Sequence, residues 1–360
     1  MRVIISAGGT GGHIYPALAI INKIKEHEPN SEFLYIGTHN RMEKDIVPKK
    51  GIPFESIEIY GFNRHNLLKN FRVAYCLIKS KHKCRKLIKD FNPDIVIGVG
   101  GYVTVPVVSC AKKLGYRTFI HEQNSIPGKA NIYLSKLVDK IGISMKSTEK
   151  DFPKDKVVFT GNPCSEDALK KEPMDKSKLG LSNNKKLVLI VMGSLGASTI
   201  NKVMVETLPR VRKDAYEIVF VTGKQEYDEI SKNKFPENVK VVPYIDGMTA
   251  LMKKTDLMIT RAGASTLSEI IALKIPSILI PSPYVPNNHQ YINAMDLVNS
   301  GAAEILEEKD LKPEILLKKV DDLLYDRKRL EEMKKNLSTL GVDNSAEIIY
   351  NTIQNIIERK

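Results

Sequence analysis

The sequence predicts an α/β protein of two doubly wound domains, each a parallel sheet with helices on both faces. Three observations carry this. Short apolar runs of strand type alternate with amphipathic segments through the first half, and the second half repeats the pattern. A polar stretch rich in Lys, Pro and Asp, Thr160–Ser182, separates the halves. Turns of glycine and other small residues follow strands in both halves, at the sheet edge where open α/β folds bind ligands. The domains are placed at 1–162 and 163–343, with a C-terminal helix over 344–360.

In the first half the expected strands are Val3–Ile5, Phe33–Ile36, Asp94–Gly98, Thr118–Ile120 and Lys140–Ile143. Ser6-Ala7-Gly8-Gly9-Thr10-Gly11-Gly12-His13 follows the first of them. Its glycines let backbone approach a ligand and expose consecutive amides. The spacing is not the Gly-x-Gly-x-x-Gly of dinucleotide sites, and no Lys-Ser/Thr follows as in a P-loop. His13, at the expected helix start, reads as a catalytic or phosphate-contacting residue rather than only a helix cap. Gly98-Val99-Gly100-Gly101-Tyr102 makes a second such turn before a helix over Val105–Lys113. Two glycine turns at one sheet edge suit a diphosphate. His121-Glu122-Gln123-Asn124, at a strand end, reads as the polar lining of a cleft.

In the second half the strands are Leu187–Met192, Glu217–Val221, Val239–Val242, Leu257–Ile259, Ser277–Ile280 and Ala303–Ile305. Gly193-Ser194-Leu195-Gly196-Ala197-Ser198 matches the first glycine turn in position, and Ser194 can bond a phosphate or a sugar. Arg261-Ala262-Gly263-Ala264-Ser265 is followed by helical spacing over Thr266–Leu273, with Leu267, Ile270 and Ile271 on one face. Strand, small-residue turn and helix N-terminus together make an anion site. Glu269, one turn into that helix, can accept two hydrogen bonds from a ribose diol. From these residues alone a nucleotide site and an ordinary βαβ unit stand equal. The next helix, near Asn288, carries His289, Gln290 and Asn293.

Composition narrows the class. Apolar runs such as Leu187–Met192 fall far short of a membrane span. Met1–Ser6 leads directly into a strand without a signal-peptide pattern, so a cytoplasmic protein is expected. Four cysteines show no Cys-x-x-Cys spacing, which argues for free thiols and against structural zinc. The net charge of +13 lies almost wholly in residues 1–160, with 26 Lys and Arg against 14 Asp and Glu. Gly61–Phe91 holds nine of those cations and one acid, Asp90. The two domains therefore meet different partners.

Six motifs, in this order, resemble the MurG family of N-acetylglucosaminyltransferases of peptidoglycan synthesis. They are Gly9-Thr10-Gly11-Gly12-His13, His121-Glu122-Gln123-Asn124, Thr160-Gly161-Asn162-Pro163, Gly193-Ser194-x-Gly196-Ala197, Arg261-x-Gly263-Ala264-x-Thr266-x-x-Glu269 and Gln290-Tyr291-x-Asn293-Ala294. The resemblance runs along essentially the whole chain. It implies the glycosyltransferase-B fold, two Rossmann-like domains facing a central cleft, with the helix near Asn344–Arg359 packing back on the first. It implies transfer of N-acetylglucosamine from UDP-N-acetylglucosamine to lipid I, undecaprenyl-pyrophosphoryl-muramoyl-pentapeptide, with inversion, giving lipid II. Carried onto this sequence, Ile245 would meet the uracil through its backbone and Glu269 the ribose. Ser194, Ala264, Ser265 and Thr266 would lie along the diphosphate. Gln290, Asn124, Thr10, Gly11 and Gly12 would meet the donor sugar. Gly9, Gly100, Gly101 and Tyr102 would hold the lipid diphosphate. Many relatives carry Arg two residues after the Asn-Pro; here that position is Ser165, which offers a hydroxyl to the donor phosphate. His289-Gln290 stands for two glutamines, so Gln290 alone carries over.

No Asp-x-Asp pair is present, so the leaving diphosphate is expected to be held by amides and helix N-termini rather than a metal, with no cofactor. His13 is the first candidate base and Glu122 the second. Leu67, Leu68, Lys69, Phe71 and Arg72 suit docking to an anionic inner-leaflet surface, which places the protein peripherally on the cytoplasmic face of the membrane. Nucleic acid is disfavoured, because no aromatic stacking pattern interleaves the lysines. The rival readings are another UDP-sugar enzyme of this fold, a 2-epimerase or a diacylglycerol glycosyltransferase, and a non-catalytic nucleotide-sugar-binding module.

Overall fold

A computed structural model describes residues 1–60, 67–193 and 197–358, without the side chains of 67–70, 72 and 74. The chain forms two compact units, Met1–Glu166 with Asn344–Lys360, and Asp167–Asp343. The first unit contains β1 (Arg2–Ser6), α1 (Gly11–His27), β2 (Glu32–Thr38), α2 (Glu43–Ile46), β3 (Phe54–Ile57) and α3 (Leu67–Phe91). It continues through β4 (Ile95–Gly98), α4 (Thr104–Lys113), β5 (Arg117–Glu122), α5 (Lys129–Ser135), β6 (Lys140–Ile143) and β7 (Val157–Phe159). Helix α6 (Cys164–Lys170) spans the boundary.

All seven strands of the first unit are parallel, in the order β3-β2-β1-β4-β5-β6-β7. The central strands read as near-continuous apolar runs because both faces are covered. One face carries α1, whose Ile14, Leu18, Ile21 and Ile24 are buried. The other carries α3, α4 and α5, through Cys84, Ile88, Val107, Val108, Ala111 and Leu134. Strand order reverses between β1 and β4, so their turns leave in opposite directions and open a crevice at the carboxyl ends.

The second unit repeats this plan. Its strands are β8 (Leu187–Val191), β9 (Glu217–Val221), β10 (Val239–Val242), β11 (Leu257–Thr260), β12 (Ser277–Leu279) and β13 (Glu304–Ile305). Between them lie α7 (Ser198–Thr207), α8 (Tyr227–Ile230), α9 (Met248–Met252), α10 (Ala264–Leu273) and α11 (His289–Asn299), followed by α12 (Pro313–Tyr325) and α13 (Arg327–Leu340). The order β10-β9-β8-β11-β12-β13 reverses between β8 and β11.

Two edge strands escaped the sequence reading. In β3, Phe54-Glu55-Ser56-Ile57, three of four residues are only half-buried, and β7 is half-buried throughout. Polar Glu55 and Ser56 interrupt β3, and β7, though apolar, is only three residues long. The unit boundary also lies past residue 162, for a physical reason. The Ser165 hydroxyl donates to the Asn162 carbonyl at 2.7 Å and lies 3.1 Å from the Ser345 hydroxyl. Glu166 pairs with Lys23 of α1 and accepts from the Ala346 and Glu347 amides at the start of α14 (Ser345–Glu358). These bonds tie 163–166 to the first unit.

Helix α14 completes the first core. Ala346, Ile349, Ile353 and Ile356 recur every three or four residues and are buried, the last three in one cluster with α1. Tyr350 stacks on His27 with ring centroids 4.2 Å apart. Because this face seals a core, Ile353→Ala is expected to cost about 2–4 kcal/mol in urea unfolding. A loss well under 1 kcal/mol, on the order of an exposed-site change, would show that α14 does not hold the core.

Candidate functional site

In the first unit the crevice is built from two interlocked turns. The Gly8 amide donates to the Gly100 carbonyl at 3.2 Å. A Cβ on Gly100 would lie 2.5 Å from Cδ2 of His13, and one on Gly101 would lie 2.5 Å from the Gly8 oxygen. Both residues also have positive φ, +110° and +88°, so side chains are barred twice over. His13 lies in the first turn of α1, and its Nδ1 is 3.0 Å from the Gly8 carbonyl. A carbonyl only accepts, so Nδ1 carries the proton and Nε2 is left with a free lone pair. Thr10 caps α1 without a side-chain hydrogen bond, so the first-turn amides of Gly11 and Gly12 remain available to an anion. Tyr102 is 56% exposed beside the second turn.

Several sequence expectations are corrected here. Glu122 is buried, and both its oxygens are occupied. Oε1 accepts from the amides of Gln123 and Asn124 and from Nδ2 of Asn124; Oε2 accepts from the Gly128 amide and Nδ2 of Asn131. Five donors stabilise the carboxylate and leave it no place for a substrate proton, so Glu122 holds the β5–α5 loop. His121 is also buried, which pushes its imidazole down to about 4 and keeps it neutral. Its Nε2 donates to the Gly161 carbonyl and its Nδ1 accepts from Gln123. Of the four residues read as a cleft lining, only Asn124 is not fully buried. Ser165 is buried with its hydroxyl spent on Asn162 and Ser345, which leaves nothing for a phosphate. Gly9 turns its amide inward to Glu43 at 3.2 Å, so that donor is not offered to a ligand.

In the second unit the crevice lies beyond β8 and β11. Helix α10 starts at Gly263 without a capping side chain and has no acid in its first turn. The amides of Ala264, Ser265 and Thr266 are thus unsatisfied by the helix. The Ser265 hydroxyl is enclosed and has no partner among the described residues. Asn293 of α11 donates to the Ala262 carbonyl at 3.2 Å and holds the turn from behind. Gln290 accepts from the Ser282 amide at 2.9 Å, which fixes its side chain and aims its NH2 group away from that bond. Both residues border a cavity of about 340 Å³, with Ser198, Thr199 and Arg261. Ile245 follows β10 with its side chain buried. Ser194 lies outside the described residues.

Glu269 is half-buried, one turn into α10, with no hydrogen-bond or ion-pair partner among the described residues. Burial pushes its carboxyl from 4.5 up to about 7. Sequence reasoning missed Glu43, and it missed the pairing of Arg261 with Glu308 at 2.7 Å. Arg261 also donates to the Ile280 carbonyl, so its charge is compensated within the unit. A lone Glu on a short polar helix or 3-10 turn carries no local signal of either role.

Models of the glycosyltransferase family 28 N-terminal and C-terminal domains match residues 3–143 and 187–349. A UDP-N-acetylglucosamine–N-acetylmuramyl-(pentapeptide) pyrophosphoryl-undecaprenol N-acetylglucosamine transferase of Bacillus thuringiensis is 46% identical over 364 residues, all of both chains. Its namesake in Bacillus licheniformis is 45% identical over 99% of each chain. The crystal structure of Acinetobacter baumannii MurG aligns with a TM-score of 0.80 at 27% identity, over 98% of this chain and 99% of that one. A putative UDP-N-acetylglucosamine 2-epimerase from Listeria monocytogenes shares the fold, with a TM-score of 0.72 at 15% identity over 100% and 97% of the chains.

The raised Glu269 value makes a prediction about stability. A carboxyl whose value rises on folding costs nothing below its unfolded value, about 4.5, and its charging costs most above about 7. Glu269→Gln is therefore expected to exceed the parent in stability at about pH 8, by about 1–3 kcal/mol. That gain should vanish toward about pH 4.5, as followed by urea unfolding. An equal difference at both pH values would show that the carboxylate is not destabilised by burial.

Proposed function

The chain belongs to glycosyltransferase family 28, and from that premise we propose that it transfers N-acetylglucosamine from UDP-N-acetylglucosamine to lipid I, giving lipid II. The observation that carries the reading is Glu269, a carboxylate one turn into an uncapped helix and without a partner among the described residues. A ribose diol supplies the two donors it lacks. The donor's diphosphate falls on the amides of Ala264, Ser265 and Thr266, with the Ser265 hydroxyl as a further donor. The NH2 group of Gln290 reaches the sugar, and the backbone of Ile245 the uracil. Hydrogen bonds from ribose favour the charged carboxylate, so donor binding draws Glu269 back toward an ordinary acid.

The acceptor belongs to the first unit, where the amides of Gly11 and Gly12 and the Gly100–Tyr102 turn suit the lipid's pyrophosphate. The muramoyl 4-hydroxyl oxygen attacks C1 of N-acetylglucosamine. The new O–C1 bond forms as the bond from C1 to the diphosphate oxygen breaks, with inversion. UDP leaves with the electron pair, and its charge is met by the start of α10. The hydroxyl proton goes to Nε2 of His13. The Nδ1–Gly8 bond serves this step, since it fixes the tautomer and stabilises the imidazolium that forms.

Among the described residues no helix is long and apolar enough to cross a membrane. Docking at the lipid surface is assigned to α3. Phe71, Tyr75 and Ile78 are 76%, 67% and 70% exposed and lie on one face, opposite buried Cys76, Ser80, Cys84 and Ile88. Arg85, Lys86 and Lys89 continue the exposed face. Each cation near an anionic surface contributes about 1 kcal/mol before screening. The side chains of Leu67, Leu68, Lys69 and Arg72, expected to join them, lie outside the described residues.

The test of the reaction is UDP release that depends on a lipid I analogue. His13→Ala is expected to bind UDP-N-acetylglucosamine normally and to lose about 10²–10⁴-fold in turnover. Near-normal turnover would remove His13 as the base. The double variant Phe71→Glu/Ile78→Glu should fail to sediment with anionic vesicles while still folding. Undiminished sedimentation would remove α3 as the docking surface.

A further inference from the structure

We propose that Glu43 is a positioning residue for the acceptor's diphosphate, an inference that rests on the two glycine turns being the acceptor site. Glu43 opens α2, far from either turn in sequence, and is fully buried. No Lys, Arg or His among the described residues pairs with it. Its Oε1 accepts from the Thr38 amide at 2.9 Å and the Thr38 hydroxyl at 2.6 Å. Its Oε2 accepts from the Gly9 amide. The fit is close: a Cβ on Gly8 would lie 2.5 Å from Oε1, and one on Gly37 would lie 2.7 Å from Cγ of Glu43.

A buried carboxylate without a cation is costly, and under a site for pyrophosphate it opposes the ligand. A neutral amide oxygen could hold Thr38 without that penalty. The contact that requires a carboxylate is the second oxygen on Gly9, where a glutamine would present a donor to a donor. This contact acts on the turn. Tyr35 donates to the Ala7 carbonyl, Gly100 takes the Gly8 amide, His13 takes the Gly8 carbonyl, and Glu43 takes the Gly9 amide. With 7–9 pinned inward, the amides that face a ligand are those of Gly11 and Gly12 at the positive end of α1. Glu43 thus selects which amides meet the pyrophosphate. It sets acceptor affinity without touching substrate.

Glu43→Gln separates this role from mere stability. The variant is expected to keep its UDP-N-acetylglucosamine KM within twofold of the parent and to raise the KM for a lipid I analogue tenfold or more. Its kcat should fall less than that. Should Glu43→Gln not fold, Glu43→Asp keeps the charge but withdraws it from Gly9, and is expected to show the same acceptor-selective change. An unchanged acceptor KM, or an equal rise for both substrates, would overturn the proposal. Absence of turnover in the parent protein would instead overturn the reading of the reaction.

Discussion

The carbonyl of Gly8 accepts the Nδ1 proton of His13 and packs against Gly101, while the amide of the same residue donates to Gly100. This one residue locks the turns after β1 and β4 together. The lock is possible because the strands are neighbours whose connections leave in opposite directions. It explains why residues 100 and 101 have no side chain. It also fixes the tautomer of His13, because a backbone carbonyl can only accept. A ring free to turn would offer its lone pair in either direction; this one offers it in a single direction.

Four buried or half-buried carboxylates divide by how their oxygens are spent. Glu122 takes five donors and Glu43 takes three, and both act as scaffolding for loops. Glu166 caps α14 and pairs with Lys23, which keeps the returning C-terminal helix on α1. Glu269 takes none among the described residues, and burial pushes its carboxyl up. Desolvation without compensation is unfavourable in the free protein and is relieved by a ligand that brings hydroxyl donors. Residue type and location at a strand end do not separate these cases; the count of satisfied lone pairs does.

The crevices of the two units are built by different means. In the first, backbone bonds interlock two glycine turns, and the neighbouring side chains are consumed in holding them. In the second, a helix start is left uncapped, an enclosed hydroxyl has no partner among the described residues, and a glutamine is fixed through its oxygen, which turns its nitrogen away from that bond. On the exposed face of α3, apolar Phe71, Tyr75 and Ile78 precede a run of cations on the same side of one helix.

The interior strands, both glycine turns and the motif around Glu269 were legible because they are local. A run such as Ile95–Gly98 is apolar throughout since both faces are covered, and a turn that admits no Cβ must be written in glycine. The edge strands were not legible, because Glu55 and Ser56 break the apolar run of β3 and β7 is only three residues long. The roles of Glu122, Ser165 and Glu43 were decided only by tertiary structure. Their partners lie on other elements: Asn131 for Glu122, Ser345 for Ser165, Gly9 for Glu43. Sequence determines which groups could bond. Whether a carboxylate is spent on the fold or left open to a substrate depends on distances across elements, and these exist only once the chain has packed.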